Sequence, residues 1–206
     1  SAMHYTSRME MEEASRFDLS CLQRVIPIGI DFAPFMALPP PAAFEQQHPE
    51  TAGTRNILFF SRLDVKKGLD LLITAFALLH PKPSALRLII CGDGDPALVA
   101  NLKRQAAEAG VSDCITWAGQ VSGDQRFAAF ATALIFVLPS HSENFGIALL
   151  EAMAAGLPCV STDQVALAVD AAAQAAVKIS AREPAALAEA MRELIGSESQ
   201  RRALGL

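Results

Sequence analysis

Long apolar runs are missing from this sequence: none approaches the roughly 20 residues that a membrane-spanning helix needs. Charge is sparse, at 19% of residues, and the balance is acidic, with 17 Lys and Arg against 22 Asp and Glu. The net charge of −5 argues against a general attraction to nucleic acid or to an anionic membrane surface, so any bound anion must be held by local cations. Cysteine is scarce and scattered; Cys21, Cys91, Cys114 and Cys159 make no C-x-x-C. They read as free, mostly buried thiols of a reducing compartment, which points to a cytoplasmic protein. No spacing of ligand-type side chains suits a metal ion, and neither a metal nor another cofactor is expected. No signal peptide is expected and no internal repeat is evident; Ser1-Ala2 has the look of an expression scar.

What is abundant is apolar: 51% of 206 residues, enough for one large domain, or one domain plus a fragment, with a sizeable core. Residues 1–24 read as the tail end of a separate N-terminal domain, with Ser7-x-x-Glu10 as a capping box opening a short polar helix through about Ala14. Val25 to Ile30 reads as a short strand. Residues 36–54 are proline-rich and aperiodic, and read as a mobile loop. From Asn56 the pattern becomes regular. Strands are expected at 57–60, 86–91, 115–117, 134–138, 159–161 and 176–179. Helices are expected at 69–79, 96–109, 124–132, 147–155, 184–195 and 198–204. Leu69, Leu72, Ile73, Phe76 and Leu79 share one face of the first of these helices. Asp95 before Pro96 is an N-cap followed by the favoured first helical residue. Short apolar strands alternating with amphipathic helices predict an α/β fold, a doubly wound, Rossmann-like parallel sheet over residues 25–206.

The chemistry concentrates after the strand at 134–138, where Ser140 to Pro158 reads S-H-S-E-N-F-G-I-A-L-L-E-A-M-A-A-G-L-P. Glu143 lies on the loop at the strand's carboxyl end and Glu151 on the helix that follows. Ligands of open α/β sheets bind at such strand ends. A helical glutamate is ordinarily solvated, but Glu151 is flanked by Ala148, Leu149, Leu150, Ala152, Met153 and Ala154. An ionised carboxylate in so apolar a helix needs a partner or a ligand. His141 reads as a loop residue rather than a base, and His4, His48 and His80 have no evident partners.

Two more loops leave strand ends. Arg62 and Lys67, each alone an ordinary surface cation, together sit on a strand–loop–helix connection suited to gripping a diphosphate. A unit charge pair at ~4 Å is worth about 4 kcal/mol at an effective dielectric of roughly 20. A helix N-terminus adds only ~0.3–1 kcal/mol, so the cations should dominate. Gly92-Asp93-Gly94 is not G-x-G-x-x-G, but its glycines would let a base or sugar approach the backbone closely.

The string S-x-x-E-x-F-G-x-x-x-x-E-A-M-A-x-G-x-P closely resembles the donor-site motif of the retaining glycosyltransferases of family four. R-L-D-V-K-K-G-L-D-L-L-I-T-A-F, G-D-G-D, P-I-G-I-D and R-R-A-L-G are similar to the same family, so the resemblance covers most of the chain. It implies the C-terminal half of a GT-B fold. It also implies a UDP- or GDP-linked sugar as donor, a hydroxyl acceptor and no metal. Arg62 and Lys67 would bind the donor diphosphate, and Glu151 the ribose hydroxyls. Glu143, with the backbone of Asn144, Phe145 and Gly146, would contact the donor sugar, and Gly92 and Gly94 would line the donor site. The acceptor site would belong to a separate N-terminal domain. This stretch alone is then expected to bind donor without turnover, and peripheral membrane association of the whole protein stays open. Two positions depart from the pattern: Asn144 stands where Gly is usual, and Gln164 to Asp170 reads Q-V-A-L-A-V-D where Gly-Gly-x-x-Glu is usual. Two alternatives accordingly stand beside the transferase. One is a GT-B-fold nucleotide-sugar epimerase using Glu143 and His141; the other is a non-catalytic nucleotide-sugar sensor.

Overall fold

The computed structural model describes residues 2–18, 20–79, 85–172 and 177–205; Ser1, His80 and Ala176, which carry expectations above, lie outside them. The chain opens with β1 (Ala2–Tyr5), α1 (Arg8–Ala14) and β2 (Leu22–Val25). The two strands pair in parallel, apart from the main sheet. Helix α1 has its expected cap: Ser7 Oγ accepts from the Glu10 N–H at 3.1 Å. The Glu10 carboxylate turns back onto the N–H and hydroxyl of Thr6, each at 2.7 Å.

Two expectations need correcting here. The strand ends at Val25 rather than starting there: the Ile26 N–H still reaches Tyr5 O at 2.9 Å, but Pro27 has no N–H with which to extend the ladder. The proline-rich stretch is packed rather than loose. It holds α2 (Ala42–Glu45) and a 3₁₀ turn at Pro49–Thr51, and Phe44 is fully buried. Asn56, itself buried, donates to Thr51 O at 3.0 Å and to Thr132 O at 3.2 Å, tying this stretch to the sheet.

Strands and helices then alternate: β3 (Arg55–Phe60), α3 (Leu69–Leu79), β4 (Leu86–Cys91), α4 (Pro96–Glu108), β5 (Ile115–Gly119) and α5 (Asp124–Thr132). They continue with β6 (Ala133–Leu138), α6 (Ile147–Ala154), β7 (Cys159–Thr162), α7 (Ala166–Ala172), β8 (Val177–Ser180), α8 (Pro184–Gly196) and α9 (Glu198–Leu204). Strands β3 to β8 form one parallel sheet ordered β5-β4-β3-β6-β7-β8. The chain winds outward in both directions from the β3/β6 pair, which is the doubly wound, Rossmann-like order expected. Ile57, Leu58, Phe59, Leu88, Ile89, Phe136 and Val137 are fully buried, as in a sheet covered on both faces. The apolar face of α3 is wider than its periodicity suggests, because Leu71 and Ala75 are buried as well and the helix packs along α8. Asp95 caps α4 by accepting from Ala97 and Leu98 N–H at 2.8 and 3.2 Å. Helix α7 was not expected; it is alanine-rich, with Ala166, Ala168 and Ala171 buried. The buried hydroxyls of Ser161 and Thr162 donate to Leu138 O and Ser140 O at 2.8 and 2.6 Å, fastening β7 to the carboxyl end of β6.

Candidate active site

Because sheet winding reverses between β3 and β6, the connections leaving these two strands part toward opposite faces and leave a crevice at their carboxyl ends. The β3–α3 loop is pressed against the β6–α6 loop. Gly68 has φ +69°, and a Cβ there would lie 2.1 Å from the Pro139 carbonyl oxygen, so only glycine allows the approach. The His141 N–H donates to Lys66 O at 2.7 Å, joining the two loops. On the far side the Glu143 N–H donates to Gln164 O at 3.0 Å, and Leu167 N–H donates to Phe145 O at 3.2 Å. Gly146, at φ +99°, brings its backbone so close to Val165 that a Cβ would lie 2.8 Å from Cγ1. The Q-V-A-L stretch that departs from the glycine-rich pattern is therefore the brace of the Glu143 loop.

These loops wall a cleft of about 470 Å³. Six of the nine predicted site residues line it: Lys67, Glu143, Asn144, Phe145, Gly146 and Glu151. Lys67 Nζ is paired with Glu143 Oε2, and both side chains are largely withdrawn from water, at 17% and 19% exposure. The neighbouring Lys66 is exposed. Helix α6 starts at Gly146 without a side-chain cap, which leaves its first N–H groups for a ligand or water. Glu151 is buried, at 8% exposure, and its partner is Arg126 of α5, whose Nη1 lies 2.9 Å from Oε1. Burial pushes the Glu151 carboxyl above the ordinary carboxylate range, and the Arg126 charge draws it back.

The other three predicted residues lie elsewhere. The Arg62 side chain is 76% exposed, sits 3.5 Å from Asp64 Oδ2, and lines a separate groove with Gly94 and Asp95. Gly92 and Gly94 allow a close approach of the chain's own backbone. A Cβ on Gly92 would lie 1.9 Å from Ser61 O, and one on Gly94 2.0 Å from Leu63 O. His141 Nε2 is 3.5 Å from Asp70 Oδ1 and is not part of the cleft lining.

Two charged residues at the site carry no local signature. Arg126 was implied only in kind, since a buried carboxylate needs a cation, while sequence does not say which. Glu10 lines the cleft from α1, and Asn144 Nδ2 donates to its Oε1 at 3.4 Å across 134 residues of sequence. The hydroxyl and N–H of Thr6 hold the Glu10 carboxyl below its usual range. Among the described residues no group of three or more His, Cys, Asp or Glu is placed to hold a metal, and no helix is long and apolar enough to cross a membrane. The cleft thus offers a cation and uncapped N–H groups for an anion, and carboxylates for hydroxyls.

The sequence matches the family described as glycosyl transferases group 1 over residues 42–205. It is 36% identical over 140 residues to D-inositol 3-phosphate glycosyltransferase of Pseudarthrobacter chlorophenolicus, covering 67% of this chain and 33% of that protein. To the enzyme of the same name from Corynebacterium jeikeium it is 30% identical over 197 residues, covering 90% of this chain and 46% of that protein. The chain thus spans less than half the length of these relatives. Among solved structures, sucrose-phosphate synthase from Thermosynechococcus elongatus superposes with a TM-score of 0.85 at 25% identity, over 99% of this chain and 51% of that one. Anabaena HepE, solved with UDP and glucose, shares the fold with a TM-score of 0.88 at 21% identity, over 99% of this chain and 56% of that one. By sequence, by its sheet order and by these likenesses, the chain belongs to the group 1 glycosyltransferases, and its sheet is one half of a GT-B fold.

Proposed function

We propose that the cleft binds a nucleotide-sugar donor, UDP- or GDP-linked, for retaining, metal-independent transfer of the sugar to a hydroxyl acceptor. The observation that carries this reading is the convergence of Lys67, Glu143 and Glu151 on one cleft at the β3/β6 switch point. Lys67 holds the diphosphate and offsets the charge that develops on it as it leaves, aided by the free N–H groups of α6. Glu151 accepts the ribose hydroxyls. Glu143, with the backbone of Asn144, Phe145 and Gly146, meets the sugar. Because Lys67 and Glu143 are paired to each other, donor binding divides the pair: phosphate takes up the cation, and sugar hydroxyls take up the carboxylate. Arg62 joins the diphosphate by rotating away from Asp64, since an exposed pair of that kind is worth only ~0–1 kcal/mol. In the transfer, the bond from the sugar's anomeric carbon to the phosphate oxygen breaks. The bond to the acceptor oxygen forms on the same face, and the departing phosphate takes the acceptor's proton. The acceptor site is assigned to a further domain of a cytoplasmic protein, so this chain binds donor without turnover.

Calorimetric titration with UDP, GDP, UDP-glucose and GDP-mannose, with and without EDTA, tests this reading. Binding of one nucleotide series that survives EDTA is expected. Glu151→Ala should weaken nucleoside diphosphate and nucleotide-sugar alike, whereas Glu143→Ala should lose only the sugar-dependent part. Equal losses in both variants, or no binding of either series, would overturn the assignment, and glycosyl transfer by this chain alone would remove the need for a second domain.

A further inference from the structure

The proposed donor site leaves one ion pair without a role. Arg126 sits in the first turn of α5, a helix that holds none of the predicted site residues. Its guanidinium is held twice: Nη1 donates to Glu151 Oε1 at 2.9 Å, and the group lies 4.8 Å from the centre of the Phe127 ring. Phe127 in turn packs edge-on against the buried Phe35 at 5.2 Å. The cation is thus pre-placed rather than drawn in from solvent. A carboxylate turns easily about its last torsion, so tying one oxygen to a fixed donor sets the plane of the group. With Oε1 taken by Arg126, Oε2 is the oxygen left for the cleft. The charges facing Glu151 come from four segments. Arg126 stands on α5, and Lys67, Glu143 and Glu10 line the same cleft from the β3–α3 loop, the β6–α6 loop and α1. Lys67 is committed to Glu143 and Glu10 adds a like charge, so Arg126 is the cation that opposes protonation of Glu151.

We infer that Arg126 is a positioning residue for ribose recognition, orienting the Glu151 carboxylate so that its free oxygen accepts the ribose hydroxyls. This rests on the donor reading above. Arg126 itself touches no reacting atom.

The test compares the full 206-residue chain with its Arg126→Gln and Arg126→Lys variants, after circular dichroism shows that each is folded. Affinity is measured for whichever of UDP and GDP binds, and for its 2′-deoxy form, from about pH 5 to about pH 8. The parent chain should prefer the ribo form by about ten-fold or more, the loss expected when a hydrogen bond to a charged group is removed. Its binding should fail as acid protonates Glu151. Arg126→Gln keeps a donor but loses the charge. Its ribo preference should shrink to about two-fold, and its acid limit should move to higher pH, because burial then acts unopposed. Arg126→Lys keeps the charge but not the planar fork, so its acid limit should stay near that of the parent while part of the preference is lost. An Arg126→Gln chain with the parent's preference and acid limit would overturn the inference. So would one that weakened both nucleotides equally, since that is what a merely structural pair would do. A parent chain that binds neither UDP nor GDP would instead overturn the donor reading, and the role of Arg126 with it, before any variant is compared.

Discussion

Burial raises the Glu151 carboxyl, with Arg126 drawing it part of the way back, so the folded chain takes up this proton more readily than the unfolded one. Stability from this group falls as pH rises from the unfolded to the folded value, and is recovered on acidification. Glu151→Gln removes that slope. It also leaves Arg126 without its anion, but the Arg126 side chain is 34% exposed and can be hydrated. The variant should therefore melt at the same temperature as the parent at pH 7, or higher, while losing nucleotide binding. Melting curves at pH 5 and pH 7 beside a binding titration check this. A lower midpoint at pH 7 would mean that the ion pair is a net stabiliser. Glu10 behaves oppositely: Thr6 lowers its carboxyl, so its contribution is present above the unfolded value and lost as pH falls through the folded one.

Among the elements, the joint between the β3–α3 and β6–α6 loops makes the sharpest demand on the backbone. Gly68→Ala would set a Cβ 2.1 Å from the Pro139 oxygen at a positive φ. It should cost more than about 1 kcal/mol by chemical denaturation, and it should displace Lys67 enough to weaken diphosphate binding. Gly29 has open space around it and no positive φ, so Gly29→Ala should be neutral or stabilise by ~0.4–1 kcal/mol. Equal effects of the two substitutions would refute the joint. The regular elements were legible because strands apolar throughout and helices with one apolar face announce themselves; α3 and α5 begin and end where their patterns say. Helix α7 was not, because in A-L-A-V-D-A-A a single charged residue, Asp170, is too little to mark a period. The stretch around Phe44 was not, because one buried ring and hydrogen bonds from the distant Asn56 and Gln125 anchor it, and none of these makes a period. The pairing of Arg126 with Glu151 was hidden for another reason. Sequence shows that a buried carboxylate needs a cation, and only the fold, which brings Arg126 of α5 to Glu151 of α6, says which one it meets. That the carbonyls of Ser61 and Leu63 stand where a Cβ of Gly92 or Gly94 would lie was not legible either, because a glycine reports room without saying what fills it.

For the whole molecule the problem is charge. A chain with net charge −5 repels a nucleoside diphosphate at long range, so binding must arise where Lys67 and the start of α6 stand close to the ligand. Lys67→Ala should then cost ~1.5–3 kcal/mol of diphosphate affinity, and the exposed Lys66→Ala only ~0–1 kcal/mol. Ligand at a hundred times its dissociation constant stabilises the folded state by about 2.7 kcal/mol, which for a domain of this size raises the melting midpoint by roughly 5–10 °C. That shift should shrink with added salt and survive EDTA. Lys67→Ala does more than remove an attraction, because it also leaves the Glu143 carboxylate facing the diphosphate alone. Adding Glu143→Gln to Lys67→Ala should therefore recover part of the lost affinity for the plain nucleoside diphosphate, although Glu143→Gln by itself gains little while Lys67 is present. A double variant no better than Lys67→Ala, or Lys66→Ala as damaging as Lys67→Ala, would show that the cleft does not hold its anion through this pair.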